Sequence, residues 1–519
     1  MFDFHGFCPG GAFIARPIGG IFFGLVGDSK GTDGTSTNGS PRAGSGRQDA
    51  LEGSIIMMAI PTLLLAVVPS TDHIGFLAPV LMVMIRLMQG FSVGGQLVGS
   101  IVFAAEESPR GRETGITAIV LSGVNIGTML GAVVATLCHA IFSEEQLVSW
   151  AWRIPFVLGF VLSIIAYALQ RGLRSDDATD SQENDNPGHE GSTLPGKSSD
   201  GLVATSSASQ ELTKPTNPLT VVLFSRAGRR KLFACCFGYG VHSATFYVTF
   251  IFMPTFDVSI LDLSATPSFA VAVCGMFIAF TTSVLLGRLA DRMISKNLQA
   301  AGIDNSTEAI EEAPNESGAQ NDPCAARMSP AQRIAHKWRA RLLWWTFLLL
   351  IPLAPTLLYV KQYAAYAVDG AVVGPVVAAA WIASAFGCLG MVFIEICITS
   401  VVSAWMVDLF HPSVRFSAMA LALNVATVIF GGSAPVICET LASRSPAYAW
   451  TAGLFLSCVG ALGILGLEIG DHEEPDPVVD SCMGVQVSIE AELELQQRVP
   501  YQPRPRNSDA TGTGTVAFV

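Results

Sequence analysis

The chain has 519 residues, of which 50% are hydrophobic and only 14% are charged. Globular domains average about 25% charged residues, so this composition excludes an ordinary water-soluble protein and predicts a chain that crosses a membrane many times. The net charge of −12 says little by itself, because the acidic residues crowd into polar segments. We expect no nucleic-acid partner. The 11 cysteines are scattered, without the spacing of metal ligands or of a disulfide framework. We therefore expect no metal ion, no other cofactor and no enzymatic site.

Apolar stretches that can cross a bilayer follow one another along the chain. A transmembrane helix needs about 20 mostly apolar residues, and eleven stretches fit this requirement, which predicts an all-α membrane protein. In chain order the predicted spans are Gly6–Gly27, Ser54–Pro69, Phe76–Ala105, Gly115–Phe142, Trp152–Leu173, Leu232–Phe256, Phe269–Leu289, Leu342–Lys361, Val373–Met406, Phe416–Leu441 and Ala449–Ile469.

Polar stretches rich in glycine, serine and acidic residues separate some of these spans. They can bury too little apolar surface to offset chain entropy, so we expect them to be disordered. The chain then divides into an N-terminal bundle of five spans (1–174), a disordered cytoplasmic linker (175–228), a C-terminal bundle of six spans (229–469) with a disordered loop (294–332), and a disordered cytoplasmic tail (470–519).

Lysine and arginine residues fall almost entirely on one set of connections between spans. This set includes Arg110, Arg229 and Arg288, whereas the alternate connections hold only Lys361 and Arg444. Connections rich in lysine and arginine stay in the cytoplasm, so eleven spans place the N-terminus outside and the C-terminus inside. We expect a multi-pass protein of the plasma membrane.

Two loop motifs each occur twice, at matching places in the two halves of the chain. "GLVGD" (Gly24–Asp28) ends the first span, and "GRLADR" (Gly287–Arg292) ends the seventh. "EESPRGRETG" (Glu106–Gly115) joins the third and fourth spans, and "DLFHPSVRFSA" (Asp408–Ala418) joins the ninth and tenth. Matching loops in two halves of the same topology are typical of transporters built from parallel repeats.

These motifs, together with "ARPIGGIFFGLVGD" (Ala15–Asp28), "RLMQGFSVGGQLVG" (Arg86–Gly99) and "WRIPF" (Trp152–Phe156), resemble the metabolite:proton symporter branch of the major facilitator superfamily. That branch includes transporters of proline and betaine, 2-oxoglutarate, citrate and shikimate. The resemblance implies the major facilitator fold, in which two pseudo-symmetric helical bundles work by alternating access. Because the family has twelve spans, the resemblance also implies that the first of the usual twelve is missing here. Either the native N-terminus is absent from this sequence or the protein lacks that helix.

The sequence departs from the family pattern at two places. After Gly-Asp the family loop continues with Arg, Gly, Arg and Lys, whereas here only Lys30 offers a nearby charge. Where the family usually has Gly-Gly-Glu in a span, this chain has Gly94, Gly95 and Gln96. A carboxylate that could take part in proton coupling is therefore replaced by a neutral amide.

Two arginines, Arg16 and Arg86, lie near the middle of predicted spans. A charge at this depth is costly and usually faces a partner or a water-filled cavity. Because a guanidinium group suits a carboxylate, both are candidate anchors for anionic or zwitterionic substrates; alternatively, Arg16 ties helices together through a carbonyl group or a glutamine. Other polar residues in the spans complete the candidate substrate site: Gln89, Gln96, Asn125, Tyr239, Tyr247 and Asn424.

Glu395 lies at mid-depth in the ninth span and is the candidate proton carrier. A desolvated carboxylate has a raised pKa and can exchange protons near neutrality. His242, in the sixth span, can also titrate. The alternative is that Glu395 is a buried structural acid and His242 a satisfied structural group.

Asp28 and Asp291 lie at the cytoplasmic ends of the first and seventh spans. They can pair with Arg112 and Arg415, or they can cap helix N-termini. The resemblance implies that such contacts hold the cytoplasmic side closed in the outward-facing state, and Arg292 completes this candidate gate. The alternative is that the two acids are solvated loop residues.

The function that these features predict is secondary active transport of a small carboxylate-bearing metabolite, driven by protons, by a monomer in the lipid bilayer. Gln96 leaves open a facilitator or exchanger that does not use protons. A transporter-like receptor with long disordered loops and an inactive remnant that lacks one helix are further alternatives. The sequence does not name the substrate.

Overall fold

The computed structural model describes residues 7–32, 45–69, 71–183, 218–261, 263–301, 303, 329–366, 374–412, 414–444 and 446–471. Within these ranges the regular elements are all helices, and the described residues form no strand. The all-α architecture predicted from the sequence is therefore confirmed.

The first half of the chain is built from long helices joined by short connections. Its elements are α1 (Phe7–Thr32), α2 (Ser45–Val67), α3 (Thr71–Ile74), α4 (Leu77–Glu106), α5 (Glu113–Ile141), α6 (Glu144–Ser149), a 3₁₀ turn (Ala151–Arg153) and α7 (Ile154–Glu183). The turn before α5 depends on Gly111, whose φ of 78° lies in the left-handed region that favours glycine.

The second half begins with the short helix α8 (Pro218–Phe224). It continues with α9 (Arg226–Tyr247), a π-helical segment (Val248–Phe252), α10 (Met253–Ser259), α11 (Ala265–Ala300), α12 (Pro330–Tyr366), α13 (Gly374–Thr399), α14 (Val402–Leu409), α15 (Arg415–Ala426), a second π-helical segment (Thr427–Gly432), α16 (Ala434–Ser443), a 3₁₀ turn (Pro446–Thr451) and α17 (Ala452–Gly470). Each π-helical segment is followed by a proline at the start of the next helix, Pro254 or Pro435. Proline has no backbone N–H and interrupts the regular helical hydrogen bonds.

The predicted spans correspond to helices. The described residues contain 10 candidate spans that are long and apolar enough to cross a bilayer, and they match the second to eleventh predicted spans in order. Residues 7–27 of the first predicted span, Gly6–Gly27, lie in α1. The polar stretches predicted to be disordered are residues 29–53, 175–228, 294–332 and 470–519. Their described residues are mostly helical, because α1, α2, α7, α8, α9, α11 and α12 extend into them. Residues 33–44, 184–217, 304–328 and 472–519 lie outside the described residues.

The long helices pack as two bundles. In the N-terminal bundle α1 packs on α4 and α2, and α2 packs on α4 and α7. The crossing of α1 and α4 is close because Gly94 has no side chain: a Cβ there would lie 2.6 Å from the backbone nitrogen of Gly20. In the C-terminal bundle α17 packs between α9 and α12, and α13 packs on α12 and α11. The buried Phe347, Leu350 and Trp405 belong to its core.

Two helix pairs join the bundles in a pseudo-symmetric way. The first helix of the N-terminal bundle, α1, packs on α15, and α5 packs on α11 of the C-terminal bundle. These pairs bring the ends that carry Asp28 and Asp291 against the other bundle. Following the predicted orientation, we call this end of the protein the cytoplasmic end.

Candidate functional site

A buried acid and a histidine meet in the middle of the C-terminal bundle. Glu395 on α13 is fully buried, and its Oε1 atom lies 2.9 Å from Nδ1 of His242 on α9. The Thr399 hydroxyl donates to the same Oε1 at 3.0 Å and lies 3.4 Å from the histidine nitrogen. The other carboxylate oxygen, Oε2, is buried and has no hydrogen-bond partner among the described residues. The arrangement is a titratable pair with one unsatisfied acceptor.

Arg16 reaches this region from the N-terminal bundle. Its guanidinium lies 4.7 Å from the ring centroid of Phe13 and hydrogen bonds with Tyr247 on α9. The rings of Phe13 and Tyr247 meet edge to face at 5.7 Å. The Nε atom of Arg16 is buried and has no hydrogen-bond partner among the described residues. Arg16 therefore holds an unused donor at the boundary of the two bundles.

Tyr239 lies close to both the arginine and the titratable pair. Its ring packs against that of His242 at 5.1 Å, and its hydroxyl hydrogen bonds with Thr427 of the second π-helical segment. The charges of both Arg16 and Glu395 act on it. We call Arg16, Tyr239, His242, Tyr247 and Glu395 the central cluster. Its members come from α1, α9 and α13, so it spans both bundles.

The other polar residues predicted for the substrate site have different surroundings. Asn424 on α15 is buried and donates to the carbonyl oxygens of Gly94 at 2.7 Å and of Ala420 at 2.6 Å, so it links α15 to α4. Asn125 on α5 is buried, and its Oδ1 atom has no hydrogen-bond partner among the described residues. Gln96 on α4 is half-buried.

Arg86 lies outside the central cluster. Its Nη1 atom donates to Oε1 of Gln89 at 3.1 Å, and Gln89 in turn donates to the Thr62 hydroxyl at 3.1 Å. The guanidinium lies 5.9 Å from the ring of Phe156. These partners belong to α4, α2 and α7, so Arg86 is held within the N-terminal bundle. The sequence makes both Arg16 and Arg86 candidate substrate anchors, whereas in the structure only Arg16 belongs to the central cluster.

The first cytoplasmic network joins α1 to α15. The Asp28 carboxylate accepts hydrogen bonds from the Ser417 backbone N–H at 2.8 Å and from its hydroxyl at 2.6 Å. Arg47 on α2 lies 3.9 Å from Asp28, pairs with Glu106 and donates to the Pro412 carbonyl at 2.7 Å. Asp28 therefore caps the N-terminus of α15, where an anion is favoured.

Arg415 ties the same network to α4. Its Nη1 atom lies 2.8 Å from Oε1 of Glu106, and its Nε donates to the Phe410 carbonyl at 3.2 Å. Burial raises the pKa of Asp28, which lies just beyond the predicted span, from 3.8 to about 6, although the hydrogen bonds from Ser417 act in the opposite direction. At neutral pH the carboxylate is still ionised.

The second cytoplasmic network repeats this design between α11 and α5. Asp291 accepts hydrogen bonds from the backbone N–H groups of Thr114 at 3.1 Å and of Gly115 at 2.8 Å. Arg339 on α12 is buried and donates to both carboxylate oxygens of Asp408, at 3.0 and 2.7 Å. It also donates to the Thr114 hydroxyl at 3.1 Å and lies 3.3 Å from Glu113. Each bundle thus supplies an aspartate that caps a helix of the other.

Two residues of the predicted gate lie outside these contacts. Arg112 is the exposed residue that precedes α5, and its backbone N–H donates to the Pro109 carbonyl. Arg292 is exposed on α11, next to Asp291. Sequence reasoning missed Arg47 and Arg339, because each stands in a polar stretch rich in basic residues. Their partners are the acids that precede the two proline loop motifs, Glu106 for Arg47 and Asp408 for Arg339. The repetition of this acid in both halves of the chain is the sequence signal that could have identified the partners.

Helices that cross a bilayer, two pseudo-symmetric bundles and a polar cluster between them define a multi-pass membrane transporter. The sequence profile of the Major Facilitator Superfamily matches residues 45–303. The chain belongs to the major facilitator superfamily.

Similar proteins agree with this assignment. The chain is 30% identical over 300 residues to a protein of Staphylococcus aureus (strain COL) named "Putative proline/betaine transporter", which covers 57% of this chain and 54% of that protein. It is 36% identical over 166 residues to the "Proline/betaine transporter" of Escherichia coli (strain K12), over 32% of this chain and 30% of that protein. The chain thus spans about half, or less, of the length of these relatives.

A solved structure supports the fold at a lower level of sequence similarity. The major facilitator proton:xylose symporter XylE, bound to 6-bromo-6-deoxy-D-glucose, matches with a TM-score of 0.54 and 12% identity. The match covers 92% of this chain and 88% of the XylE chain. At this identity the likeness concerns the fold alone.

Proposed function

We propose that this protein is a secondary active transporter of the plasma membrane that moves a small carboxylate-bearing metabolite together with protons, by alternating access. The observation that carries the proposal is the central cluster. In it Arg16, a cation of the N-terminal bundle, and Glu395, which pairs with His242 in the C-terminal bundle, both lie near Tyr239. A substrate held there contacts both bundles, as alternating access requires.

The proposed substrate class follows from the donors of Arg16. A guanidinium group offers a rigid fork of N–H donors that matches a carboxylate. One donor of Arg16 bonds to Tyr247, and its buried Nε has no described partner. A substrate carboxylate supplies the missing acceptor. Proline and betaine, after which the relatives are named, each carry a carboxylate.

The proposed proton carrier is Glu395. It is fully buried, and its carboxylate lies against a second ionisable side chain, His242. His242 and Thr399 share one of its oxygens, and the other oxygen is free to carry a proton. We infer that protonation of this pair accompanies substrate binding beside Arg16.

The proposed gate is the pair of cytoplasmic networks. Asp28 and Asp291 each bind the N-terminus of a helix from the opposite bundle. For the cytoplasmic side to open, α1 must part from α15 and α5 must part from α11. Both caps then break, so together they favour the inside-closed state.

A facilitator or exchanger without proton coupling is the second candidate. It is favoured by Gln96, which stands where the resembled family usually has a glutamate. Transport that persists at the full rate with a protonophore supports this alternative and contradicts the proposed symport.

The experiment that tests the substrate anchor compares two arginine variants in proteoliposomes. Labelled proline, betaine, 2-oxoglutarate, citrate and shikimate are offered one at a time under an inward proton gradient. Arg16→Gln is expected to raise KM at least about 10-fold, because a charge-assisted hydrogen bond of roughly 1.5–3 kcal/mol is lost. Arg86→Gln is the matched control, and we expect its KM to stay near that of the wild type. A wild-type KM for Arg16→Gln contradicts the anchor.

A further inference from the structure

Lys361 and Asp257 form a buried ion pair far from the cytoplasmic networks. Lys361 follows Arg339 by 22 residues on α12, which corresponds to about 33 Å of helix. Only 1% of Lys361 and 4% of Asp257 is exposed to solvent. The sequence assigns Lys361 to a connection on the non-cytoplasmic side and places Asp257 directly after the sixth predicted span, whereas the structure buries both inside the C-terminal bundle.

The contacts of Lys361 are concentrated on the short helix α10. Its Nζ atom lies 2.8 Å from Oδ1 of Asp257 and 3.5 Å from Sδ of Met253, and it lies 5.9 Å from the ring centroid of Phe256. The Ser384 hydroxyl on α13 donates to the other oxygen of Asp257 at 2.8 Å. These polar contacts fasten α10 to both α12 and α13.

The neighbouring helix α13 leaves room for the lysine side chain. Gly387 on α13 faces the lysine stem, and a Cβ atom there would lie 2.5 Å from Cγ of Lys361. A buried ion pair seldom stabilises a protein more than apolar residues of the same size, because desolvation of the two charges opposes their attraction. The pair is therefore better explained by what it holds in place than by a gain in stability.

Helix α10, which the pair holds in place, is connected along the chain to Tyr247 of the central cluster. Helix α10 is separated from α9 by the π-helical segment Val248–Phe252, and π-helical turns often lie at functional sites. Tyr247, the partner of Arg16, is the residue directly before this segment. We propose that Lys361 and Asp257 are positioning residues, which fix α10 and thereby the place of Tyr247 against Arg16. This inference rests on the proposed role of Arg16 in substrate binding.

The first test measures the position of α10 without any substrate. The single variants Lys361→Met and Asp257→Asn each leave one buried charge unpaired and are expected to lower the melting temperature. The double variant removes both charges and is expected to melt close to the wild type. In this double variant, amide hydrogen exchange in Val248–Ser259 is expected to rise about 10-fold or more, while exchange in α17 stays unchanged.

The second test follows Tyr247 directly. The chain has only 8 tyrosines, so 19F NMR of protein labelled with 3-fluorotyrosine is practical, and Tyr247→Phe assigns its resonance. The double variant is expected to shift this resonance. Gln362→Leu is the matched control, because Gln362 is the buried neighbour of Lys361 and accepts a hydrogen bond from the Trp450 backbone N–H in the 3₁₀ turn before α17. We expect the control to leave the Tyr247 resonance unchanged.

Transport supplies the third readout. The double variant is expected to raise KM about fivefold or more, a change that corresponds to a small loss of binding free energy, with kcat affected less. Wild-type exchange in α10, an unshifted Tyr247 resonance or an unchanged KM each overturns the positioning role. If the wild type transports none of the tested substrates, the proposed function fails, while hydrogen exchange and 19F NMR still decide whether the pair positions α10.

Discussion

Removal of the Asp291 carboxylate should open the cytoplasmic side of the protein. Asp291→Ala deletes two hydrogen bonds from the N-terminus of α5, at 3.1 and 2.8 Å, and both cross from one bundle to the other. Hydrogen bonds to a charged group contribute roughly 1.5–3 kcal/mol each. Because burial of the carboxylate opposes them, we take about 3 kcal/mol for the pair, which shifts the equilibrium between closed and open states about 100-fold toward open.

The assay measures the distance between the cytoplasmic ends of the two bundles. Spin labels are attached at Arg112 on the N-terminal bundle and at Lys296 on the C-terminal bundle, both exposed, in a background without native cysteines. Double electron–electron resonance should show mainly a short distance between the two spin labels for the unsubstituted protein, and mainly a longer distance for Asp291→Ala. Arg292→Ala, an exposed neighbour on the same helix, is the control and should keep the short distance. An unchanged distance distribution for Asp291→Ala would refute the gate.

Three further outcomes follow from the same contacts. Glu395→Gln should reduce proton-driven uptake more than 10-fold while exchange of substrate across the membrane persists, since only the titratable charge is lost; equal loss of both activities would contradict proton coupling. Gly24→Val should favour the open state in the spin-label assay, because a Cβ there would lie 2.6 Å from the Cα of Ser417, whereas Gly123→Val, with nothing within 4 Å, should not. The pKa of Asp28 is about 6 in the closed state and 3.8 when solvated, so the closed state binds the proton more tightly. The closed fraction should therefore rise as the pH falls from 7 to 5, and Asp28→Asn should weaken this dependence.

The helices and their order were predictable because a bilayer imposes a length and an apolar composition on every span. The repeated loop motifs also identified Asp28 and Asp291 as candidate gate residues. The sequence left open whether these acids pair with arginines or cap helices. The structure shows caps, because the first backbone N–H groups of α15 and α5 lie beside the two carboxylates.

Other parts of the site depend on which face of a helix meets a neighbour, and the sequence does not specify this. Arg16 and Arg86 both stand in the middle of apolar spans, yet only Arg16 faces the other bundle. Arg339 stands among several basic residues, and only packing reveals that it is the buried one. Lys361 ends its predicted span and was assigned to a connection, because hydropathy alone does not anticipate a lysine buried against Asp257.

We propose that substrate movement is coupled to protons through the central cluster. The most direct measurement is the uptake of labelled proline and betaine into proteoliposomes, with an inward proton gradient and with the same gradient abolished by a protonophore. We predict accumulation above the external concentration only when the gradient is present, and loss of this accumulation in Glu395→Gln. Uptake that merely equilibrates in both conditions, or accumulation that survives in Glu395→Gln, would contradict it.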